Sequence, residues 1–473
     1  MVDEKAHLSS PVASFRDCRR AAFSVHPGLP KLMAVGIILI AVAQFILFAY
    51  FLYRTAITSP ISDMFTYIAD YLRFRAGQVG LFGYVWQPHG EHRLLWIRLL
   101  TWADIELFHT RGIAFMAGAT ASITATAILL WNWLRRAEPM LAAPLALLAP
   151  MLVLTTANVV DCSVPINITY PITVFFAVLS IVLFAGPEDR DQHANLRRMA
   201  AILAALCAGL ATAAGLLVWP ILMWIVWRRR TGYRWLATVA AIGCAYVAFY
   251  LHNLPPYGLA PVLDMDVESF MSSSHLWKVL DYFIAFLGLP FTREPTLAWL
   301  GRLIGLALLL SGLFAIAIAT FSQRLATPAD RIAVALIMLA LGSAALAAVG
   351  RSELVSDIPV RYSMFASMLH VGLLYLLLPR CARLLASPDG KLLLNAAALV
   401  FAAMLLIQQV MVGRIAERTV ATIARDADCF AQGGNARPVS SVVTRTPAGS
   451  AEVLNALRQQ GLLAPRSTQC STP

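Results

Sequence analysis

Apolar runs long enough to cross a bilayer recur along almost the whole chain, and clusters of basic residues stand at every second junction between them. The runs fall near 32 to 53, 113 to 134, 140 to 156, 171 to 186, 199 to 211, 214 to 227, 235 to 252, 299 to 320, 331 to 349, 363 to 379 and 391 to 410. Bilayer hydrocarbon offers no water to exposed backbone N–H and C=O groups, so each run is expected to fold as a helix. The pattern predicts an all-α fold, a polytopic transmembrane helical bundle of about eleven spans. A composition of 59% hydrophobic and only 13% charged residues excludes an ordinary soluble domain. The two runs within 199 to 227 are short for full crossings and are broken at Gly215, which leaves a short hairpin or one tilted helix as readings.

Orientation follows from the basic residues. Arg16, Arg19, Arg20 and Lys31 precede the first span, and Arg135-Arg136, Arg197-Arg198, Arg228-Arg229-Arg230, Arg324 with Arg331, and Arg380, Arg383 and Lys391 mark later junctions. These positions predict a cytoplasmic N-terminal segment, 1–31, and a transmembrane domain, 32–410. A small external C-terminal tail, 411–473, is expected to follow. Basic clusters on both sides of 199–227 favour the hairpin there. The first apolar run is too long for a cleavable signal peptide and is expected to stay as a span. The net charge of +11 points to anionic membrane lipids as partners, and no nucleic-acid motif accompanies it.

Seven cysteines contain no CxxC pair, so a zinc or redox motif is not indicated. Cys429 and Cys470 are the two in the predicted external tail, where an oxidising compartment would permit a disulfide between them. Free thiols in a loosely ordered tail are the other reading, since Gly433-Gly434, Pro438 and Pro447 lie nearby.

The first external loop, 54–112, carries the densest chemistry: Asp63, Asp70 and the run Glu91-His92-Arg93. A helix here places Asp63, Tyr67, Asp70 and Phe74 on one face. The segment from His92 to Phe108 mixes Leu, Ile and Trp with Arg93, Arg98, Asp104 and Glu106, the pattern of a helix lying in the interface. Moving a group from a lipid phosphate to a hydroxyl needs a base near that hydroxyl and positive charge around the departing phosphate. Asp63 and Glu91 are the candidate bases, and His92 a proton donor or, with Glu91, a metal ligand. Arg93, Arg351 and Arg361, the last beside Tyr362, suit phosphate because a guanidinium fork matches its oxygens. Plainer roles stand beside these. Asp63 fits a helix cap after Ser59-Pro60, Asp70 a partner for Arg73 or Arg75, and Arg98, Asp104 and Glu106 a solvated face. Arg351 and Arg361 also fit arginines snorkelling at the membrane edge.

Five short stretches carry a resemblance: Pro88-His89-Gly90-Glu91-His92-Arg93, Gly215-Leu216-Leu217-Val218-Trp219-Pro220, Phe286-Leu287-Gly288, Gly350-Arg351 and Arg361-Tyr362. With an acid shortly after the first span, they resemble a bacterial branch of the GT-C superfamily of membrane glycosyltransferases, across roughly 35 to 380. The resemblance implies a polyprenyl-phosphate-linked sugar as donor and an envelope glycan or lipid as acceptor. It further implies a bacterial inner membrane with the working face on the periplasmic side. It makes Asp63 the first-loop acid, a base or a ligand for a divalent metal such as Mg or Mn. Many members carry two adjacent acids there, whereas Ser62 and Met64 flank Asp63 here, which leaves the metal open. A lipid-linked-sugar flippase or polytopic transporter is the competing class. Ionisable residues inside the spans are scarce, with His370 the main one, which argues against ion coupling.

Overall fold

The computed structural model describes residues 29–90, 92–138, 143–186, 193–255, 267–289, 298–322, 327–353, 359–433, 442–444 and 446–464. Glu91, Cys470, Tyr257 and residues 1–28 of the N-terminal segment lie outside this set. Among the described residues the chain is all-helical and contains no strand.

In chain order the first helices are α1 (Leu29–Thr55), α2 (Met64–Arg75), α3 (Leu81–Trp86), α4 (Leu95–Phe108), α5 (Ile113–Ala137), the short α6 (Ala143–Ala146) and α7 (Leu148–Val153), and α8 (Thr156–Ser163). There follow α9 (Thr169–Ala185), α10 (Ala194–Gly209), α11 (Val218–Arg229), α12 (Tyr233–Leu251), the single turn α13 (Val267–Phe270) and α14 (Ser273–Gly288). The last five are α15 (Ala298–Phe321), α16 (Pro328–Arg351), α17 (Ser363–Leu384), α18 (Pro388–Ala431) and α19 (Pro447–Gln459).

Eight of the described helices are long and apolar enough to cross a membrane, and each coincides with a run read from the sequence. The runs near 140 to 156, 199 to 211 and 214 to 227 fold instead as shorter helices. Around Gly215 the chain forms a 3-10 turn, Ala213–Leu217, that folds back on the end of α10. A Cβ at Gly215 would sit 2.2 Å from the Ala208 carbonyl, so only glycine admits this approach. The stretch is therefore two helices rather than one tilted one.

Local chemistry starts several spans cleanly. Thr327 and Asp330 form a reciprocal capping box with Pro328 in the first turn of α16. Ser387 caps α18 in front of Pro388. The bundle centre is α9, α16 and α17, whose inner faces carry Val174, Ile181, Ile337, Ala340, Phe365 and Leu369, all at most 2% exposed. In α14 and α15 small residues replace bulk: a Cβ at Gly288 would fall 2.1 Å from the Gly301 carbonyl oxygen, and one at Gly305 only 1.9 Å from that of Ile284.

The tail differs from its expected form. Helix α18 runs for 44 residues, about 66 Å at 1.5 Å per residue and twice a hydrocarbon core of about 30 Å. Its second half packs on the first loop through Arg54 and Glu417 at 2.7 Å, an edge contact of Phe65 with Phe430, and a bond donated by the Ser59 hydroxyl to Asp428. Beyond it, the Ser62 amide donates to the Val443 carbonyl at 2.6 Å and the Ala464 amide to that of His109 at 2.9 Å. The described residues after 411 thus form a largely helical cap on the loop, with Leu454 and Leu457 of α19 buried. Cys429, inside this cap, is disulfide-bonded, while its expected partner Cys470 falls outside the described residues.

Candidate active site

A cavity of about 370 Å³ opens at the end of the bundle that also carries the first loop and its cap. The short stretches noted in the sequence converge on it. His92 comes from the first, Leu216, Leu217 and Pro220 from the second, Phe286 from the third, and Gly350, Arg351 and Tyr362 from the last two. Nothing in their spacing announces this meeting, since they are spread over more than half the chain. Topology produces it. The 3-10 turn at Gly215 and the end of α16 approach from within the bundle, while His89 and His92 exchange backbone hydrogen bonds at 2.9 and 3.1 Å in a tight loop over them.

The cavity body is apolar, with Leu251, Leu254, Leu346, Ala347 and Phe365 completing the walls. Polar groups gather at particular points: Tyr170, Thr212, Tyr250 and Ser343 join His92, Arg351 and Tyr362. Tyr362 is fixed by stacking on Phe286, ring centroids 5.3 Å apart, and by an edge contact with Tyr170 at 5.7 Å. The His92 ring accepts a long hydrogen bond from the Ala213 amide at Nδ1, 3.4 Å away, which leaves Nε2 as the ring's N–H. Such a site suits a long apolar chain ending in a compact anion.

Arg361 does not line this cavity but lies behind Tyr362, its guanidinium 5.7 Å from that ring. Its Nε has no hydrogen-bond partner among the described residues. The nearby Tyr170 hydroxyl, then Tyr362 and the carboxylate of Asp161, hold Arg361 above the ordinary arginine value against the opposing effect of burial. Asp161, fully buried in α8, was not anticipated. A carboxylate inside the apolar stretch 153–168 is a signal that could have exposed it.

Asp63 is at the start of α2 and also outside the cavity lining. Its side chain does not cap the helix, as the plainer reading expected, but faces His89, with Oδ2 3.4 Å from Nε2. The His89 ring packs on Tyr67, centroids 4.8 Å apart. Burial, and then the Asp63 charge, push the Tyr67 phenol well above its ordinary value, and Tyr170 contributes as well. Tyr67 thus packs on the Asp63–His89 pair, while Tyr170 lines the cavity. His89 stood within a quoted stretch but was not singled out; its distance from Asp63 in sequence hid the pairing.

Other first-loop residues are corrected by the structure. Arg93 was expected to bind phosphate, yet its guanidinium donates to the carbonyls of Tyr250 at 3.0 Å, Trp86 at 2.7 Å and His252, and it lies over the Trp86 ring. These are orphan carbonyls at the ends of α12 and α3, and Arg93 is only 4% exposed. Burial also lowers its pKa from the ordinary arginine value. Arg98 and Asp104, expected on a solvated face, are buried. Arg98 binds Asp70 at 2.9 Å between Tyr67 and Tyr84, and Asp104 accepts from the amides of Gly112 and Ala114 at the start of α5. Asp70 thus pairs chiefly with Arg98, while Arg73 stands 3.9 Å away. Glu106 alone keeps a partly exposed place, bonded to Tyr71 and 3.3 Å from Arg75.

Among the described residues no three His, Cys, Asp or Glu side chains converge as a metal site. No protein-family model, curated protein or solved structure matches the chain.

Proposed function

We propose that the chain is a membrane glycosyltransferase that moves a sugar from a polyprenyl-phosphate carrier to an envelope glycan or lipid on the outer face of a bacterial inner membrane. The observation that carries this reading is the convergence of the scattered stretches on one cavity with an apolar body and Arg351, Tyr362 and His92 among its polar groups. The walls suit the prenyl chain, and Arg351, backed by Arg361, suits the phosphate. Asp63, paired with His89, is the proposed base.

In the proposed step the acceptor hydroxyl gives its proton to the Asp63 carboxylate while its oxygen forms a bond to the anomeric carbon. The bond from that carbon to the carrier phosphate breaks, and the electron pair leaves with the phosphate, whose charge the arginines offset. His89 orients the Asp63 carboxylate, and His92 Nε2–H is available to the departing oxygen. A divalent metal, Mg or Mn, remains part of the proposal only through the resemblance, because Asp63 lacks an adjacent second acid.

The test compares envelope glycans and lipid-linked sugars in cells carrying the intact protein or Asp63→Asn at equal membrane expression. Loss of a positioned base is expected to slow transfer about 10²- to 10⁴-fold, with one lipid-linked sugar accumulating. Unchanged glycans and carrier pools in the Asp63→Asn cells would rule the assignment out. A Glu91→Gln comparison asks whether the second first-loop acid shares the work.

A further inference from the structure

At the opposite end of the bundle, a cavity of about 520 Å³ opens where the turn between α11 and α12 meets the end of α15. The run Arg228-Arg229-Arg230 closes α11, but its three guanidinia have different fates. Arg228 donates to the carbonyls of Ser322 at 2.9 Å and Thr320 at 3.4 Å, and Arg229 donates to that of Phe184. These carbonyls lie in, or one residue beyond, the last turns of α15 and α9, where intrahelical partners run out. Arg230 breaks the helix with a left-handed backbone, φ +52°. Its exposed side chain lines the cavity and makes no hydrogen bond or ion pair among the described residues.

The rim around Arg230 is aromatic. Trp227, Tyr233 and Phe321 line the opening and are 52%, 77% and 89% exposed. Among the described residues no carboxylate lines it, and Val226 and Leu236 contribute apolar wall. Aromatic rings with cations beside them mark the depth of lipid headgroups. The same end repeats the theme, with Arg135 over Trp131 at 5.0 Å and Arg198 over Trp235 at 4.9 Å. A soluble polyanion would call for several uncommitted cations, whereas among the described residues the lining supplies one, Arg230, at the mouth of a partly apolar pocket.

We infer that this cavity is a binding site for the headgroup of an anionic phospholipid, with its phosphate on Arg230 and its glycerol region between Trp227, Tyr233 and Phe321. The site is independent of the transfer reaction proposed above. It converts a general positive charge at this end into one defined contact.

The experiment uses the full chain extracted in detergent, supplied with equal amounts of phosphatidylglycerol and phosphatidylcholine, with retained lipid read by native mass spectrometry. Phosphatidylglycerol is expected to be retained preferentially. Arg230→Gly removes the cation while relieving the left-handed backbone, so the variant is expected to fold. Its preference should fall about fivefold, the weight of one basic residue near a membrane surface, and Arg230→Lys should restore most of it. Arg136→Gln, an exposed arginine at the same end, should leave the preference intact. An equal loss in Arg136→Gln would mean diffuse attraction and overturn the site. Displacement of the lipid by inorganic phosphate would assign the cavity to a soluble anion, and absence of any preference in the intact chain would also overturn the inference.

Discussion

Two pairs of arginines at the same end of this molecule are put to opposite uses. Arg93 and Arg98, in the first loop, are spent on fixed partners: backbone carbonyls at the ends of α3 and α12 for one, the buried Asp70 for the other. Arg351 and Arg361, on either side of the connection between α16 and α17, are placed differently, one on the wall of an apolar cavity and the other behind Tyr362. The difference lies in what surrounds each guanidinium. Helix ends leave carbonyls that need donors, and an arginine delivered to such a place is consumed as structure. The loop that looked richest in phosphate-binding groups thus commits both of these arginines to partners of its own, and under the proposed reading the cationic chemistry would fall to Arg351 and Arg361.

The sharpest way to break this contrast is Arg98→Leu. Asp70 is 7% exposed, and the substitution leaves its carboxylate buried beside only the distant Arg73. Removing one partner of a buried ion pair costs about 3–5 kcal/mol. Thermal unfolding of the detergent-solubilised protein is expected to show a large loss. The double variant Arg98→Leu with Asp70→Leu should recover much of it, because the uncompensated charge is gone. If Arg98→Leu unfolded at the original temperature, the first-loop arginines could not be called structural.

Arg351→Gln tests the other half. It removes a cation from a partly exposed position on the cavity wall, where turnover is expected to lose far more than thermal stability. Transfer is expected to fall about 10²-fold, the loss typical of one group that stabilises developing charge. A variant that kept its turnover but lost stability would place Arg351 in the same class as Arg93 and erase the comparison.

The cap offers a smaller effect on the same contrast. Asp428 accepts from Ser59, three residues before the left-handed Ser62 whose amide bonds Val443, and Asp63 follows directly. Asp428→Ala removes a hydrogen bond to a charged group, worth about 1.5–3 kcal/mol, from the support of this loop. Turnover is expected to fall roughly tenfold while substrate KM moves little, with Asp428→Asn restoring part of the rate. A loss expressed in stability alone would assign Asp428 to the cap's folding and not to the position of Asp63.

What the sequence made legible was whatever repeats with the period of a single helix. The apolar runs of α1, α5, α9, α12 and α15 to α18, the face shared by Tyr67 and Asp70, and the break at Gly215 all depend on neighbours a few residues apart. The rest depends on partners brought together by packing. Arg98 meets Asp70 across 28 residues, and Arg93 meets Tyr250 across 157. Read locally, a charge in a Leu- and Trp-rich segment looks solvated, as Arg98 and Asp104 did, because the group that justifies its burial is not in view. Asp63–His89 and Asp428–Ser59 were hidden for the same reason. A loosely ordered tail was one of two readings because glycines and prolines cluster at 433–447; the described helical segments around them pack on the first loop.

The last contact that separates scaffold from cavity is at the rim. Glu353, two residues beyond Arg351, accepts from Lys278 at 3.0 Å and is paired with His275 Nδ1, also at 3.0 Å, pinning the start of α14 to the end of α16. The His275 hydrogen bond, and then that of Lys278, hold the Glu353 carboxyl below the ordinary glutamate value of 4.5. A carboxyl whose pKa is depressed on folding stabilises the folded chain fully above its unfolded value and loses that contribution as pH falls through the folded one. The pin should therefore be intact at neutral pH and weaken only below about 4.5. Because the pair is partly solvated, the effect should be the smallest here, about 0.2–1 kcal/mol. Following thermal unfolding of the intact chain and Glu353→Gln from pH 7 to well below 4.5, past the depressed value of Glu353, isolates it, since the two curves should converge only there. Curves that stayed parallel throughout would show that α14 is held by Phe286 and its glycine contacts alone.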